Sequence, residues 1–591
     1  MVLRFPPKPA VVTLLSLLLA ACAATDSAVT ESAQDSASGQ PQPAETAASP
    51  APSPEPEPVE YGNFTEDQLY RAIVSELGAQ QGELGEAGEN YFDLAFETED
   101  LAIVQRAVQF ASVNQDSNAL MQLGLLWARL DPDNPRPHLL LGLQFLETGR
   151  FEQALTYMGR VLELGGNIDF STLAGRAGEL DSRTRSVLIE NLERLSDQFP
   201  ENTSIRISLV QLMAQNGLFE RALQQLDVVY QDVEKTPNLL LLEAQIEDSM
   251  QRPEAALATL EESLDLFPDN LGLRLSYARR LIRARQYEAA HSQFEIMMEQ
   301  NPEDWETLYN IGLLDLEMDN WPGAVGIFNQ LIANDQRVDE SYFYLGYIYA
   351  QQDNLARAIQ NFRQVRIGTE NFLAAQQQAT RYAIELGQLD EAHDWLEEIS
   401  SGQPRLEITL TTFESAALIQ NGHNDRALAL LDRALNKYPN ETDLLFARVL
   451  LYDSLQDREG SERDLRQIIR MKPDDSQALN HLGYMLADQT TRYEEALQLL
   501  ERAIEIAPDE PAIIDSLGWA QYKMGMFEEA LANLRRAYAV FPDHEVASHL
   551  GEVLWQMGRT DEAREIWQQG LQAQPDSPII TEAMERLTPA S

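Results

Sequence analysis

A repeat of about 34 residues runs through most of this 591-residue chain and constrains its fold more than any other feature. Steps of 34 residues from Ala154, with one residue of slack, give thirteen positions, eleven of them alanine: Ala154, Leu188, Ala222, Ala256, Ala290, Ala324, Ala358, Ala392, Ala427, Ser461, Ala496, Ala530 and Ala563. Four residues after each lies a large apolar residue: Met158, Leu192, Leu226, Leu260, Phe294, Phe328, Phe362, Leu396, Leu431, Leu465, Leu500, Leu534 and Trp567. Twelve residues after most of them lies a proline: Pro200, Pro268, Pro302, Pro404, Pro439, Pro473, Pro508, Pro542 and Pro575. A fixed period of this length is typical of stacked helical pairs.

Each repeated position has a mechanical reason in a pair of antiparallel helices. Where the first helix of a pair is best defined, a glycine lies twelve residues before the register position: Gly142, Gly312, Gly346, Gly518 and Gly551. We expect Gly312 and Ala324 to let their two helices approach closely, and Phe328 to fill the gap to the next repeat. Proline would end the second helix, because it lacks an amide donor and clashes with the preceding turn.

The pattern resembles the tetratricopeptide repeat and predicts an all-α solenoid. The resemblance implies a right-handed superhelix of antiparallel helix pairs, in which each repeat contacts mainly its neighbours. We assign residues 135–577 to tandem repeats and residues 61–134 to an N-terminal helical region with degenerate repeats. Residues 578–591 are predicted to form a C-terminal cap helix, over the sequence PIITEAMERL, and a tail.

The N-terminus has the features of an export signal. Residues 1–21 carry two basic residues and no acidic one, and the apolar run 11–21 is too short to span a bilayer stably. The run ends in LAAC, which resembles the bacterial lipobox and makes Cys22 the expected site of lipidation. The alternative is an ordinary secretory signal beside an accidental cysteine. Cys22 is the one cysteine of the chain, so no intrachain disulfide can form.

The residues after Cys22 predict a location and a tether. Ala23 stands where an aspartate would argue for retention in the inner membrane, so we expect an outer-membrane anchor that faces the periplasm. Residues 23–60 contain seven acidic residues, no Lys or Arg, and few large apolar residues. Such a segment cannot bury enough surface to offset its ordering entropy, which predicts a disordered tether over residues 22–60.

The charge balance argues against nucleic-acid binding. The chain has 44 Lys and Arg against 94 Asp and Glu, a net charge of −50, and removal of the two basic residues of the signal leaves 42 − 94 = −52. Binding to phosphate requires clusters of Lys and Arg. The acidity fits a solvated, self-repelling surface or, alternatively, an acidic groove for a basic partner.

The sequence contains no motif with the spacing of a known catalytic or metal-binding site. HEVASH places His544 and His549 five residues apart, about 140° around a helix, whereas a zinc-binding HExxH pair lies four apart on one face. The other histidines, His138, His291, His393, His423 and His481, fall in different repeats, where structural or surface roles are expected. The stretch GELGEAGEN lacks the spacing of a dinucleotide loop and indicates a poorly formed helix connection. We expect no enzyme, no metal and no cofactor.

The tetratricopeptide resemblance implies that the first helices line a concave, protein-binding face. Its groove positions correspond to Tyr309, Leu313, Phe343, Tyr347, Tyr484, Trp519 and Tyr522, with Arg279 and Arg283 on the same face. Rigid aromatic rings suit protein recognition because they bury area at a small entropic cost. The alternative for each ring is that it fills space between adjacent helices.

A second resemblance concerns residues 69–111, which are similar to the opening of long outer-membrane repeat lipoproteins of gammaproteobacteria. The matching residues are Leu69, Tyr70, Glu76, Gly82, Tyr91, Thr98, Asp100, Arg106 and Ala107. A member of that group is the adaptor lipoprotein of a periplasmic carboxyl-terminal processing protease, to which it brings cell-wall hydrolases for degradation. The resemblance therefore implies a non-enzymatic scaffold with these partners. The alternative is a pilotin-like assembly factor for a pilus, a secretin or a polysaccharide export machine.

Overall fold

The computed structural model describes residues 64–178 and 180–588. Within these ranges the chain forms 31 α-helices and no strand, which confirms the all-α prediction. The predicted signal, Cys22, the tether and the last residues of the tail lie outside the described residues. None of the helices in the described ranges is long and apolar enough to cross a membrane.

The helices fall into two compact units, divided between Asp319 and Asn320. The first unit contains α1 Glu66–Gln80, α2 Leu84–Thr98, α3 Leu101–Val113, α4 Ser117–Leu130, α5 Pro135–Glu147, α6 Phe151–Glu163, α7 Ser171–Ala177, α8 Ser182–Gln198, α9 Thr203–Gln215, α10 Phe219–Asp232, α11 Pro237–Ser249, α12 Pro253–Leu266, α13 Leu271–Arg283, α14 Tyr287–Gln300 and α15 Trp305–Glu317. Odd-numbered helices are the first members of their repeats, and even-numbered helices are the second members.

The second unit continues the same alternation. It contains α16 Trp321–Ala333, α17 Val338–Gln351, α18 Leu355–Phe362, α19 Phe372–Glu385, α20 Leu389–Ser400, α21 Pro404–Gln420, α22 Asn424–Lys437, α23 Thr442–Ser454, α24 Arg458–Met471, α25 Ser476–Gln489, α26 Tyr493–Ile506, α27 Pro511–Lys523, α28 Phe527–Val540, α29 His544–Gln556, α30 Thr560–Ala573 and α31 Pro578–Leu587. The last of these is the segment in which the cap helix was expected.

The turn inside a repeat requires a left-handed backbone, and this requirement is not visible as one recurring residue type. The residue between the first and the second helix is left-handed, with φ between 57° and 75° at five successive positions spaced by 34 residues: Gln251, Arg285, Asp319, Asp353 and Gly387. Only the last of these is glycine, the residue that adopts this conformation without steric cost. The turn therefore recurs through its geometry, and not through one residue type.

The glycine of the first helix faces the large apolar residue of the second. A Cβ atom on Gly346 would lie 2.7 Å from the Phe362 ring, and one on Gly518 would lie 2.7 Å from Leu534 Cγ. The register alanines are buried, with Ala358 and Ala530 at 0 % exposure. The small residues thus allow the close approach that the sequence predicted.

The large apolar residue of the second helix makes the contact with the next repeat that the sequence predicted, and it makes a second contact inside its own repeat. Phe328 stacks on Tyr344 of α17 with 5.4 Å between ring centroids. Phe362 meets Tyr382 of α19 with 6.4 Å between ring centroids and also lies over Gly346 of its own repeat. This side chain is large enough to reach both partners, because the missing Cβ lets it sit deep between the two helices of its repeat.

The interpretation of GELGEAGEN as a poorly formed helix connection is wrong. Gly82 forms the turn, with φ 97°, but α2 begins at Leu84 and its next two glycines, Gly85 and Gly88, are helical. A Cβ atom on Gly88 would lie 2.6 Å from Asn114 Nδ2, whose amide donates to the Leu84 carbonyl at 2.9 Å. The stretch is therefore a turn followed by a helix that packs closely on the neighbouring repeat, and not a poorly formed connection.

Substitution of Gly346 by alanine tests the close approach. Gly346→Ala is expected to lower the free energy of unfolding by about 1–3 kcal/mol, because the added Cβ overlaps the Phe362 ring. The matched control is Gly326→Ala in α16, where a Cβ would meet nothing within 4 Å. That change should stabilise the helix by up to about 1 kcal/mol. Urea denaturation followed by circular dichroism measures both, and equal effects would contradict the packing.

Candidate functional site

The nine residues proposed to line the binding face divide by exposure. Tyr309, Leu313 and Trp519 are only 2 %, 1 % and 4 % exposed, so the prediction that they meet a partner is wrong for this conformation. Arg279, Phe343, Tyr347, Tyr484 and Tyr522 are partly exposed, and Arg283 is exposed. The burial of these three side chains fits the alternative given above, in which residues at groove positions fill space between closely packed helices.

Phe343 and Tyr347 lie on α17, four residues apart and on the same side of the helix. The Phe343 ring contacts Tyr344 and Phe362 edge-on, with centroids 5.6 Å and 5.7 Å apart. Phe343 therefore contributes to packing as well as to the surface, and Tyr347 is likewise partly exposed.

Arg279 and Arg283 lie on α13. The guanidinium of this helix that lies nearest to Asp248 of α11 is that of Arg280. Arg280 Nε lies 2.6 Å from Asp248 Oδ2, while Arg283 Nη1 lies 3.8 Å from the same oxygen. The Arg283 side chain is 63 % exposed, so its charge is accessible to solvent.

A group of polar and aromatic side chains joins three consecutive first helices near the C-terminal end of the described residues. We call it the His549 cluster, and it comprises Tyr484 and Asp488 of α25, Asp515 and Trp519 of α27, and Glu545 and His549 of α29. The cluster combines one imidazole with three carboxylates and two aromatic rings on the first-helix surface of neighbouring repeats.

His549 is held at the centre of its cluster from three sides. Its Nδ1 lies 2.9 Å from Asp515 Oδ2, and its Nε2 lies 3.5 Å from the Tyr484 hydroxyl. The imidazole stacks on the Trp519 indole with 4.2 Å between centroids. His549 itself is only 4 % exposed, so these contacts replace nearly all of its hydration.

The outer members of the cluster are positioned by hydrogen bonds to its aromatic residues. The Tyr484 hydroxyl donates to Glu545 Oε1 at 3.0 Å, and Trp519 Nε1 donates to Asp488 Oδ1 at 3.2 Å. Lys523 Nζ lies 4.5 Å from the Trp519 ring centroid, a cation–π contact. Trp519 is therefore enclosed by its own chain, which explains why it is buried.

The charge state of His549 follows from competing effects. Burial alone opposes protonation, but the negative charge and hydrogen bond of Asp515, together with the charges of Glu545 and Asp488, outweigh it and raise the pKa of His549. Burial and the adjacent Glu545 also raise the pKa of the Tyr484 hydroxyl, which stays neutral and donates its hydrogen bond. The carboxylates around His549 therefore favour its protonated form.

A second network ties this surface to the last helix. Arg586 of α31 donates to both carboxylate oxygens of Glu552 at 2.9 Å and 2.6 Å, and the Tyr522 hydroxyl donates to the same Glu552 at 3.0 Å. Glu552 is 3 % exposed, and a bidentate guanidinium contact is the geometry that best compensates a buried carboxylate. The side of Tyr522 toward α29 is therefore occupied.

The histidines of the other repeats have structural surroundings. His393 Nδ1 lies 3.0 Å from Glu414 Oε2, and His481 Nε2 lies 2.6 Å from Asp453 Oδ2. In HEVASH, His544 Nδ1 lies 3.0 Å from Ser577 Oγ, while His549 points to Asp515. Among the described residues no group of three or more His, Cys, Asp or Glu side chains is arranged to hold a metal ion.

Sequence reasoning missed the His549 cluster because it treated each histidine alone. A signal was present: His549 and Asp515 are 34 residues apart, as are Arg586 and Glu552. Residues one period apart occupy equivalent positions in adjacent repeats, so complementary charges at this spacing predict a contact.

The pKa of His549 gives a pH-dependent stability. Because its pKa is raised on folding, its contribution is complete below about pH 6.5, the usual value of an unfolded histidine, and is lost as the pH rises through the folded pKa. His549→Gln should lower stability at pH 6 by roughly 3 kcal/mol, since it leaves Asp515 buried without its cation, and should flatten the decline toward pH 9. Urea midpoints measured between pH 6 and 9 check this.

His423→Gln is the matched control, since His423 is a partly exposed residue at the N-terminal end of α22. It should lower stability at pH 6 far less than His549→Gln does, because the His423 side chain is not buried. An NMR titration that places the pKa of His549 below 6.5 would refute the assignment.

Comparison with known proteins places the chain among repeat proteins. Models described as "Tetratricopeptide repeat" match residues 249–304 and 521–587, residues 474–543, and residues 309–371. The TPR repeat-containing protein PA4667 of Pseudomonas aeruginosa is 35 % identical over 494 residues, which cover 83 % of each chain.

Similar solved structures include a tetratricopeptide repeat protein from Parabacteroides merdae, which is 17 % identical and covers 42 % of this chain and 97 % of its own, with a TM-score of 0.32. The Cut9–Hcn1 hetero-tetramer of the APC/C is 13 % identical and covers 88 % of this chain and 97 % of its own, with a TM-score of 0.31. Both scores are low, and neither likeness bears on function.

The 34-residue register, the alternating helices and the long match to PA4667 agree with one another. Arrays of this kind act as scaffolds for protein–protein interaction and are generally not catalytic. The chain belongs to the tetratricopeptide repeat family.

Proposed function

We propose that this protein is a lipid-anchored adaptor of the outer membrane that faces the periplasm. In this role it binds a carboxyl-terminal processing protease and the peptidoglycan hydrolases that the protease degrades. The lipobox at Cys22 supports the anchor, and the resemblance of residues 69–111 to repeat lipoproteins supports the choice of partners. The protein contributes binding and proximity, and the chemistry belongs to the protease.

One observation carries the binding role: the repeat register fixes side chains of neighbouring repeats on one surface. Tyr484, Asp488 and Glu545 reach this surface from two different first helices and are already held by hydrogen bonds. A surface arranged before binding loses less conformational entropy when a partner is bound. Partly exposed Tyr347 offers a contact of the same kind on α17.

Three of the residues that carry the resemblance of 69–111 to repeat lipoproteins, Glu76, Tyr91 and Arg106, have a structural role in the first two repeats. Glu76 accepts hydrogen bonds from the Tyr91 hydroxyl at 2.9 Å and from Arg106 Nε at 2.6 Å, so one carboxylate joins α1, α2 and α3. This arrangement lowers the pKa of Glu76 through the Arg106 hydrogen bond and raises the pKa of Tyr91 to about 12 through burial. These residues therefore hold α1, α2 and α3 together.

Photo-crosslinking in the periplasm tests the partners. A photoreactive residue at Tyr347 should capture the protease and at least one peptidoglycan hydrolase, identified by mass spectrometry. The same residue at Trp519 is the control, because Trp519 is 4 % exposed and its ring is covered by His549 and Lys523. Capture of neither partner class at Tyr347 would overturn the proposal. Loss of a pilus or secretin on deletion, with hydrolase levels unchanged, would favour a pilotin-like role.

The anchor has a separate test. Cys22→Ser should move the protein from the membrane fraction to the soluble fraction, since a stable hold on a bilayer requires its acyl chains. Helix content measured by circular dichroism should not change, because position 22 precedes every repeat. If the variant stayed with the membrane, or if its helices were lost, the assignment of Cys22 as the anchor would be wrong.

A further inference from the structure

A cavity of about 310 Å³ opens between three consecutive first helices of the first unit, α7, α9 and α11. Its volume lies at the lower end of the range for ligand pockets, about 300–1,000 Å³. None of the described residues that line it is charged, although the chain has a net charge of −50. Each of the three helices contributes a pair of lining residues four apart: Ser171 and Gly175, Gln211 and Gln215, and Gln245 and Ser249.

The cavity lies where a first helix is short. Helix α7 has seven residues, whereas α9 and α11 have thirteen each. A Cβ atom on Gly175 would meet nothing within 4 Å, so the cavity is open at this position. Gln211 and Gln245 are 34 residues apart, as are Gln215 and Ser249. The repeat register therefore places these polar side chains at equivalent positions of adjacent helices.

The charged side chains of the surrounding helices have other partners or lie outside the cavity. Arg206, the one charged residue of α9, pairs with Asp232 of α10, and Arg176 of α7 is exposed and does not line the cavity. An ionised ligand would therefore lose hydration here without an opposite charge to compensate it. The three carboxylates of α11 are each engaged by a neighbouring helix: Glu243 by the Tyr230 hydroxyl, Glu247 by Thr259 Oγ1 and Asp248 by Arg280.

The lining contains a buried acceptor that has no donor. Gln211 Oε1 is buried, and no N–H or O–H of the described residues donates to it. Such an acceptor is unfavourable until a hydrogen bond is supplied. Gln215 Nε2 donates to the Ala174 carbonyl at 3.1 Å, so Gln215 also keeps its amide oxygen as an acceptor. The cavity therefore suits a ligand that offers donors and carries no charge.

The spacing of Gln211 and Gln215 fits the main chain of an extended peptide. Residues four apart lie on the same side of a helix, about 6 Å apart along its axis. Alternate N–H groups of an extended chain point the same way and lie about 6.6 Å apart. One extended segment can therefore donate to both amides, while Leu242 and Ile246 of α11 offer apolar surface to one of its side chains.

We propose that this cavity binds an extended, uncharged segment of a partner protein through the main chain of that segment. Gln211 accepts a main-chain N–H, which satisfies its buried oxygen, and the Gln245 amide donates to a main-chain carbonyl. Recognition of this kind accepts many sequences but excludes Lys, Arg, Asp and Glu inside the cavity. The inference rests on the proposed adaptor role for the origin of the segment, and it adds the chemistry by which the segment is recognised.

Fluorescence anisotropy with a synthetic peptide tests the cavity in the full chain carrying Cys22→Ser. The probe is a labelled octapeptide of alternating serine and alanine, blocked at both ends. Methylation of its main-chain nitrogens should weaken binding at least about tenfold, because the N–H donors are lost. Replacement of two central serines by aspartate or by lysine should weaken binding to a similar extent, because the lining offers no opposite charge.

Variants of the lining provide the second measurement. Gln211→Leu should weaken binding about tenfold or more and should leave the urea midpoint unchanged or higher, because the lost oxygen has no partner in the free protein. Gly175→Leu should weaken binding by filling the open space above α7. Gln224→Leu is the matched control, since Gln224 is exposed on α10 and does not line the cavity.

Three results would overturn the proposal: no binding of the octapeptide, equal binding of its methylated form, or equal effects of Gln211→Leu and Gln224→Leu. Binding of a neutral glycan such as chitotetraose, without binding of the peptide, would assign the cavity to sugar and would overturn it as well. The assay uses a synthetic peptide and no natural partner. Partner capture at Tyr347 is a separate readout, so failure of the cavity and failure of the adaptor role are distinguishable.

Discussion

The contact between a first-helix glycine and the large side chain of its second helix determines how the rest of the structure is built. At Gly346 the absent Cβ leaves room for the Phe362 ring, which also reaches Tyr382 of the following repeat. One side chain therefore sets the spacing inside a repeat and the contact with the next repeat. Because interiors are close-packed, an added methyl group cannot be absorbed at such a contact.

Close packing also explains where the polar groups go. The stacking of repeats brings equivalent positions of neighbouring odd-numbered helices into hydrogen-bond distance, and complementary residues there become buried pairs. His549 with Asp515 and Arg586 with Glu552 are pairs of this kind, each separated by one period. Removal of one member of such a pair leaves a buried polar group without its partner, which lowers stability.

The two ends of the described chain differ in a physically meaningful way. The closing helix α31 buries Ile580 and exposes carboxylates, whereas the opening helix α1 exposes Ile73 among other apolar side chains. A repeat array ends without a neighbour at either side, so each end has to be polar or covered. Elsewhere along the array, Trp519 is enclosed by His549 and Lys523, whereas Tyr347 is partly exposed.

By itself, the sequence determined the period, the all-α class and the small-against-large contact, because these depend on residue size at fixed spacing and tolerate few substitutions. Only the tertiary structure decided which groove positions are accessible and which are buried; Tyr309, Leu313 and Trp519 belong to the buried ones. It also decided that α2 begins at Leu84. Exposure depends on the neighbouring repeats that cover a side chain, and the left-handed turns accept Gln, Arg, Asp or Gly alike, so neither is written in a single residue type.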